Sequence, residues 1–205
     1  MARESQSAVE VHSRQAPQFA KRYGETDPYA SCFSYSRARL DRWLEWGLPE
    51  SGDGARLLDL GCGTGHQMAE LRGRGFEVTG VDGSPEMLEH ARANNPDAEL
   101  HGADVEDLPL EDRSFDYILC IEVLRYLRNP ERCVAEMARV LRPGGVALAT
   151  ATPRFNLNGY ALVNRVALAL PQRKLTRLRQ FFVTAHGIER MFAASGFAEA
   201  KAHGV

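Results

Sequence analysis

The chain has 205 residues, of which 44% are hydrophobic and 25% charged, with a formal net charge of −2. That balance fits an ordinary globular domain and excludes a mainly disordered chain, a collagen-like repeat and a small disulfide scaffold. The length suits one domain with a buried core, and no overall basic field is present to hold a nucleic-acid backbone.

The four cysteines, Cys32, Cys62, Cys120 and Cys133, form no C-x-x-C pair, which argues against a zinc knuckle or an iron–sulfur cluster. Dispersed thiols fit a reducing cytoplasm, and the polar N-terminus lacks the apolar core of a signal peptide. The longest oily stretch, residues 160–170, carries Asn164 and Arg165 and is too short to span a bilayer.

Residues 1–17 are polar and mixed in charge, and read as a disordered arm ahead of a single domain over 18–205. Residues 36–46 read as an amphipathic helix ending at Gly47, with Leu40, Trp43 and Leu44 on one face. A regular alternation follows. Strands are predicted at 55–60, 76–81, 98–103, 115–120 and 146–151, and helices at 67–71, 84–93, 131–141 and 185–195. Ser84 suits a helix cap and Pro85 the first helical position. Pro143-Gly144-Gly145 is expected to end the helix before the fifth strand. Such alternation implies parallel βαβ units, so the predicted fold class is α/β, doubly wound.

The informative stretch is Leu57-Leu58-Asp59-Leu60-Gly61-Cys62-Gly63-Thr64-Gly65. A strand runs into a glycine turn and then into a helix, and glycines there let a ligand approach the backbone closely. Asp82 stands 21 positions after Gly61, at the end of the second strand, where a carboxylate can accept hydrogen bonds from ribose hydroxyls. Dinucleotide enzymes use G-x-G-x-x-G, with a pyrophosphate on the helix N-terminus. Here the spacing is G-x-G-x-G, preceded by Asp59. An acid beside the turn repels pyrophosphate and suits a ligand bearing an ammonium and a sulfonium. Electrostatics therefore favour S-adenosylmethionine over a nicotinamide cofactor.

From Leu57 to Thr152 the chain resembles the class I S-adenosylmethionine-dependent methyltransferases, in particular the ubiquinone- and menaquinone-biosynthesis group. The resemblance rests on LLDLGCGTG, VTGVDGSPEML, ADVEDLPLEDRSFDYILCIEVLRYL and RVLRPGG. It implies that Asp59, Gly61, Cys62 and Gly63 line the methionine end and that Asp82 holds the ribose. Gly83 and Met87 would lie near the ribose and adenine, Asp104 and the Val105 backbone at the adenine edge, and Cys120 and Ile121 beneath the sulfonium. Core packing is an equal reading for Met87, and burial as a small hydrophobe is the default for Cys120. Phe19 to Tyr23 is similar to an F-x-x-x-Y segment that covers the cofactor, making residues 18–50 a candidate helical lid. The family fold has seven strands, whereas residues 197–203 can supply only one more. The chain is therefore expected either to lack the seventh or to be cut short.

Methyl transfer from a sulfonium is an in-line displacement, and a general base is needed only where the acceptor must lose a proton. Candidates are Tyr23, His66, Tyr126 and His186. Many relatives read E-V-L-E-H where this chain reads Glu122-Val-Leu-Arg125-Tyr126, so no catalytic metal is expected. Residues 153–183 combine apolar side chains with Arg165, Arg173, Lys174, Arg177 and Arg179. They read either as a helical hairpin packed on the sheet edge or as a cap over an apolar or lipid-like small-molecule acceptor, the basic side chains suiting an anionic one, with 160–179 a candidate for peripheral membrane contact. A non-catalytic partner subunit is disfavoured by the intact Asp59, glycines and Asp82. A nucleic-acid or protein methyltransferase stays an alternative, although Cys120-Ile-Glu-Val is no base-holding motif.

Overall fold

The computed structural model describes residues 8–23, 27, 32–153 and 181–203. Its elements run α1 (Ala8–Tyr23), α2 (Cys32–Gly47), β1 (Arg56–Leu60), α3 (His66–Gly73), β2 (Glu77–Asp82) and α4 (Pro85–Asn94). They continue β3 (Glu99–Gly102), β4 (Phe115–Cys120), α5 (Pro130–Val140), β5 (Leu141–Ala149) and α6 (Ala185–Ala194), with a 3-10 turn at Leu124–Tyr126. The five strands pair in parallel in the order β3-β2-β1-β4-β5. The order reverses between β1 and β4, and ligands of such sheets bind at the strand carboxyl ends beside that switch point.

Strand alternation sends neighbouring side chains to opposite faces. Leu57, Val78 and Leu119 pack with Leu44 of α2, Met68 and Leu71 of α3 and Leu88 of α4. Leu58, Leu60, Val81 and Ile118 pack with Val134 and Met137 of α5 and Met191 and Phe192 of α6. Fully buried leucines of this kind contribute roughly 2 kcal/mol each, so β1, walled in on both faces, is the anchor of the fold. Leu40 and Trp43 join Leu44 against the first of these cores, as their spacing predicts. Ser84 caps α4 by accepting a hydrogen bond from Met87 N–H at 3.1 Å. No helix among the described residues is long and apolar enough to cross a membrane.

Three expectations need correction. Residues 8–17 of the expected arm are helical, as the first part of α1. Glu10 in the first turn and Lys21 and Arg22 in the last complement the helix dipole, and Ala16 and Val11 are buried. Pro17 sits inside the helix all the same. Second, α5 ends at Val140 rather than running into Pro143. Leu141 turns extended and pairs with Phe115, so β5 begins before the Pro-Gly-Gly run, which becomes a bulge between the pairs Phe115–Leu141 and Tyr117–Val146. Third, residues 197–203 form no strand. The Ala202 N–H donates instead to Glu189 of α6 at 3.0 Å, holding the segment to that helix. Where α6 ends, Phe197 N–H donates to Phe192 O and Gly196 N–H to Ala193 O, with the Phe192 and Phe197 rings 4.9 Å apart. That is a Schellman motif with its apolar contact.

Candidate functional site

The carboxyl ends of β1, β2 and β4 open into a cleft of about 2090 Å³. That exceeds an ordinary small-molecule pocket because the cleft continues along the β5 edge to α6. Its floor is the turn after β1. Gly61 and Cys62 N–H both donate to Val81 O, at 2.7 and 3.0 Å, which ties the turn to the end of β2. Gly61 has φ 78°, and a Cβ there would lie 2.2 Å from Val123 Cγ2, so no other residue fits. Gly63 has φ 54° and a different reason: its would-be Cβ meets nothing within 4 Å, which leaves its backbone open to a ligand.

Two asparagines at the end of α4 hold the turn from behind. Asn94 Nδ2 donates to Thr64 O at 2.9 Å and Asn95 Nδ2 to Gly65 O at 2.8 Å. Sequence reading takes this Asn-Asn-Pro only as a helix stop, because nothing local shows which carbonyls the side chains will reach.

Asp82 bridges the turn and the helix after it. Its Oδ2 accepts from Gly63 N–H at 2.9 Å and its Oδ1 from Ser84 N–H at 2.8 Å. Each oxygen keeps a lone pair, so the carboxylate can still accept from a diol. Burial raises its pKa, opposed by those two N–H groups and by His12. Asp59 lies deeper, only 2% exposed, and its Oδ2 has no hydrogen-bond partner among the described residues. Burial, helped by the charge of Asp82, pushes its pKa up to about 7. A cation placed against Asp59 would supply the missing partner and keep the group ionised. Thr64 Oγ1 is likewise buried without a partner, and both residues line the cleft. These two atoms and the open Gly63 backbone fit a nucleoside ligand that carries a positive charge.

The other expected cofactor residues divide. Met87, Gly83, Asp104, Val105 and Ile121 line the cleft. Asp104 is exposed and turns its Oδ1 to Glu106 N–H at 2.9 Å, while Val105 is buried. The loop that carries them is pinned from α5 by Arg139, which donates to Leu108 O, Leu110 O, Asp112 and Glu136. Cys120 does not line the cleft. It is fully buried facing Cys133, which with burial holds its thiol far above its usual pKa, and its carbonyl accepts from Thr150 N–H at 3.0 Å. Burial also raises the Cys62 thiol, so neither is a nucleophile.

α1 lies across this floor. Val9 Cγ2 stands 3.2 Å from where a Gly83 Cβ would be, and Ser13 Oγ is 2.7 Å from Ser84 Oγ. The Tyr23 ring stacks on His66 with centroids 4.9 Å apart, and the His12 ring meets Tyr126 edge-on at 4.7 Å. His12 has no place in the sequence reading, although Val9, His12, Ala16, Phe19 and Tyr23 recur at helical spacing. Of the proposed bases, Tyr23 and Tyr126 line the cleft, and His66 sits beside it under Tyr23. His186 is not brought to the site: it is exposed in the first turn of α6, outside the lining.

At the carboxyl end of β4, Glu122 takes φ 59°, uncommon for a non-glycine residue. Its N–H donates to Thr150 Oγ1 at 2.7 Å and its carboxylate pairs with Arg125. The ends of the 153–183 segment reach the same place. Val183 N–H donates to Thr152 O at 3.1 Å and Phe181 N–H to Arg125 O at 2.6 Å. Residues 154–180, including the apolar and basic side chains expected to form the cap and the 160–179 stretch, lie outside the described residues.

The doubly wound parallel sheet, with a glycine turn after β1 and an acid after β2, has the Rossmann-like architecture of solved methyltransferase structures. Residues 58–149, just under half of the chain, match the family model described as a methyltransferase domain. The chain is similar to an uncharacterized methyltransferase of Mycobacterium tuberculosis, 41% identical over 102 residues, covering 50% of this chain and 41% of that protein. The malonyl-[acyl-carrier protein] O-methyltransferase of Serratia marcescens is 38% identical over 102 residues, 50% of this chain and 40% of the relative. The matched region thus spans about two-fifths of the length of these relatives. Among solved structures, the magnesium protoporphyrin IX methyltransferase of Synechocystis with bound SAH has a TM-score of 0.67 at 16% identity, covering 94% of this chain and 89% of that one. At that identity the likeness shows the fold.

Proposed function

We propose that this chain is an S-adenosylmethionine-dependent methyltransferase acting on a small, apolar acceptor of the quinol or phenol class. The observation that carries the cofactor assignment is Asp59, a buried carboxyl with an unpartnered oxygen beside an open glycine backbone. The ammonium of the methionine end would partner Asp59, Asp82 would accept from the ribose hydroxyls, and Met87, Asp104 and Val105 would flank the adenine. Bound there, the cofactor supplies an activated methyl group on sulfur. The chain's own task is alignment: the turn and Asp82 fix the nucleoside, α1 covers it, and the β4–β5 rim receives the acceptor.

An apolar acceptor is supported by the sequence of residues 153–183, oily and basic in composition, and by the described ends of that segment, where Val183 N–H donates to Thr152 O and Phe181 N–H to Arg125 O on that rim. The same stretch is a candidate peripheral membrane contact. The buried free thiols Cys62, Cys120 and Cys133 suit work in a reducing cytoplasm.

Isothermal titration with S-adenosylmethionine tests the site. The wild-type chain should bind, and Asp82→Ala should weaken binding about tenfold or more, since two hydrogen bonds to a charged acceptor are lost. Unchanged affinity overturns the role of Asp82. Binding without turnover on any acceptor would favour a non-catalytic partner subunit.

A further inference from the structure

We infer that His12, presented by α1, is the group that takes the proton from the acceptor during methyl transfer. The inference rests on the proposed quinol- or phenol-like acceptor, which must give up an O–H proton.

Three observations carry it. First, α1 is fixed over the site at both ends, by Val9 on Gly83 and Ser13 on Ser84 at one and by Tyr23 on His66 at the other. His12 stands one turn along from Val9, on the same helix stripe, and lines the cleft. Second, its ring packs edge-on against Tyr126, 4.7 Å between centroids, and within 5.8 Å of Phe19. Tyr126 follows β4, so the imidazole spans from the nucleoside end of the cleft to the acceptor rim. Third, the charges around it are placed for a proton acceptor. Asp82 from β2 favours the imidazolium and Arg125 from the turn after β4 opposes it; the Tyr126 ring completes the wall. Burial, the largest influence, acts with Arg125 against Asp82 and lowers the pKa of His12, so the ring is neutral at pH 7 and able to accept.

The step balances as follows. The acceptor oxygen forms a bond to the methyl carbon while the carbon–sulfur bond breaks, and sulfur keeps that electron pair as a neutral thioether. The acceptor O–H proton passes to a ring nitrogen of His12, which later releases it to water. Asp82 offsets the positive charge meanwhile. No oxidant or metal is required. A base carried on α1 also ties chemistry to closure, since an acceptor in an open site would meet no proton acceptor from this helix.

The test uses the full chain, S-adenosylmethionine and a long-chain alkyl hydroquinone, with His12→Ala and His12→Gln. Both variants should lose about a hundredfold or more in kcat while holding S-adenosylhomocysteine within threefold of wild type. Added imidazole should restore part of the alanine variant's rate. The acid limb of the wild-type kcat profile should fall below the ordinary histidine value. Gln retains the shape and polarity of the ring edge, so a purely structural role predicts near-normal activity for it, and that result overturns the base. So does a loss of cofactor affinity that matches the loss of rate, or an absence of imidazole rescue. Wild-type protein that methylates a long-chain fatty acid but no hydroquinone overturns the acceptor reading and the base with it, because a carboxylate has no proton to yield at pH 7. Active wild type with an equally active Gln variant overturns the base alone.

Discussion

A carboxyl group as enclosed as Asp59, next to a second carboxylate, resists ionisation until a cation arrives. Its native pKa of about 7 lies above the value near 3.9 expected unfolded. Between those two values the native state holds a proton that the unfolded chain has lost. Stability therefore falls as pH rises from about 4 to 7, and above 7 the full penalty, up to about 4 kcal/mol, is present. Asp59→Asn should melt like wild type near pH 4.5 and several degrees higher at pH 8, where calorimetry can read the gap. The same substitution removes the partner for a ligand ammonium, so cofactor affinity should drop tenfold or more. In wild type, binding at pH 6.5 should release a proton, seen as a dependence of the binding heat on buffer ionisation enthalpy. The Asn variant should show none. A stability gap that does not change with pH would show that Asp59 is ionised in the free protein.

Asn95 illustrates the second kind of residue, one that never touches ligand. Its buried amide holds Gly65 O and the carbonyl of Ala91. Asn95→Ala leaves the Gly65 carbonyl with only the Ala69 N–H, at 3.3 Å, a loss of about 0.5–1.5 kcal/mol, and lets the glycine turn shift. Lower thermal stability together with weaker cofactor binding is the expected outcome, and a stability loss with full affinity would show that the turn holds itself.

Among the elements, the sheet and α4 were legible because their signals are local. β4 shows as an apolar run broken only by Asp116, and Ser84-Pro85-Glu86 marks a helix start in three letters. The turn after β1 was legible as well, since positive φ at Gly61 and open backbone at Gly63 leave little choice of residue. What escaped were features that depend on distant partners. α1 looks polar and carries Pro17, so its stripe of Val9, His12, Ala16, Phe19 and Tyr23 gains meaning only from the floor it covers. β5 was misjudged for a related reason: Pro143-Gly144-Gly145 reads as a terminator, yet pairing of Leu141 with Phe115 recovers the strand before the bulge. The α1 contacts also give a prediction at this scale. Ser13→Ala removes the hydrogen bonds of α1 to Ser84 and Glu86 at the start of α4 while leaving the Ser84 cap on Met87. Dissociation of S-adenosylhomocysteine should quicken by roughly three- to tenfold, as expected for a loss of about 1 kcal/mol, with the melting temperature of the free protein moving by about 2 °C or less. An unchanged off-rate in stopped flow would show that α1 does not hold the ligand in.

For the molecule as a whole, the question is what chooses the acceptor. In the proposed reading the nucleoside end is built from the turn, Asp82 and the loop pinned by Arg139, and the acceptor lies toward the β4–β5 rim. On that rim Glu122, Tyr126 and Thr150 line the cleft beside the apolar Ile121, Val123, Leu127, Ala149 and Val183, and the Glu122 carboxylate pairs with Arg125. The chain leaves this rim at Pro153 and returns at Val183, and those two residues form a parallel bridge. Between them Leu162, Val166 and Leu170 recur at helical spacing in the sequence, a pattern that suits burial against either the domain or a ligand. If it packs on the domain, Leu162→Asp or Val166→Asp inserts a charge into a core and should unfold the protein. If it covers the acceptor, both variants should keep their melting temperature within about 2 °C and bind S-adenosylhomocysteine normally. Their kcat/KM on hydrophobic quinols should still fall about tenfold or more, because each removes apolar surface worth roughly 1.5–3 kcal/mol from the acceptor. The second pattern is the expected one, since the two described ends of the segment, Pro153 and Val183, both line the cleft. Melting curves and turnover measured on the same preparations separate the two, and an unfolded Val166→Asp would assign the stripe to the core.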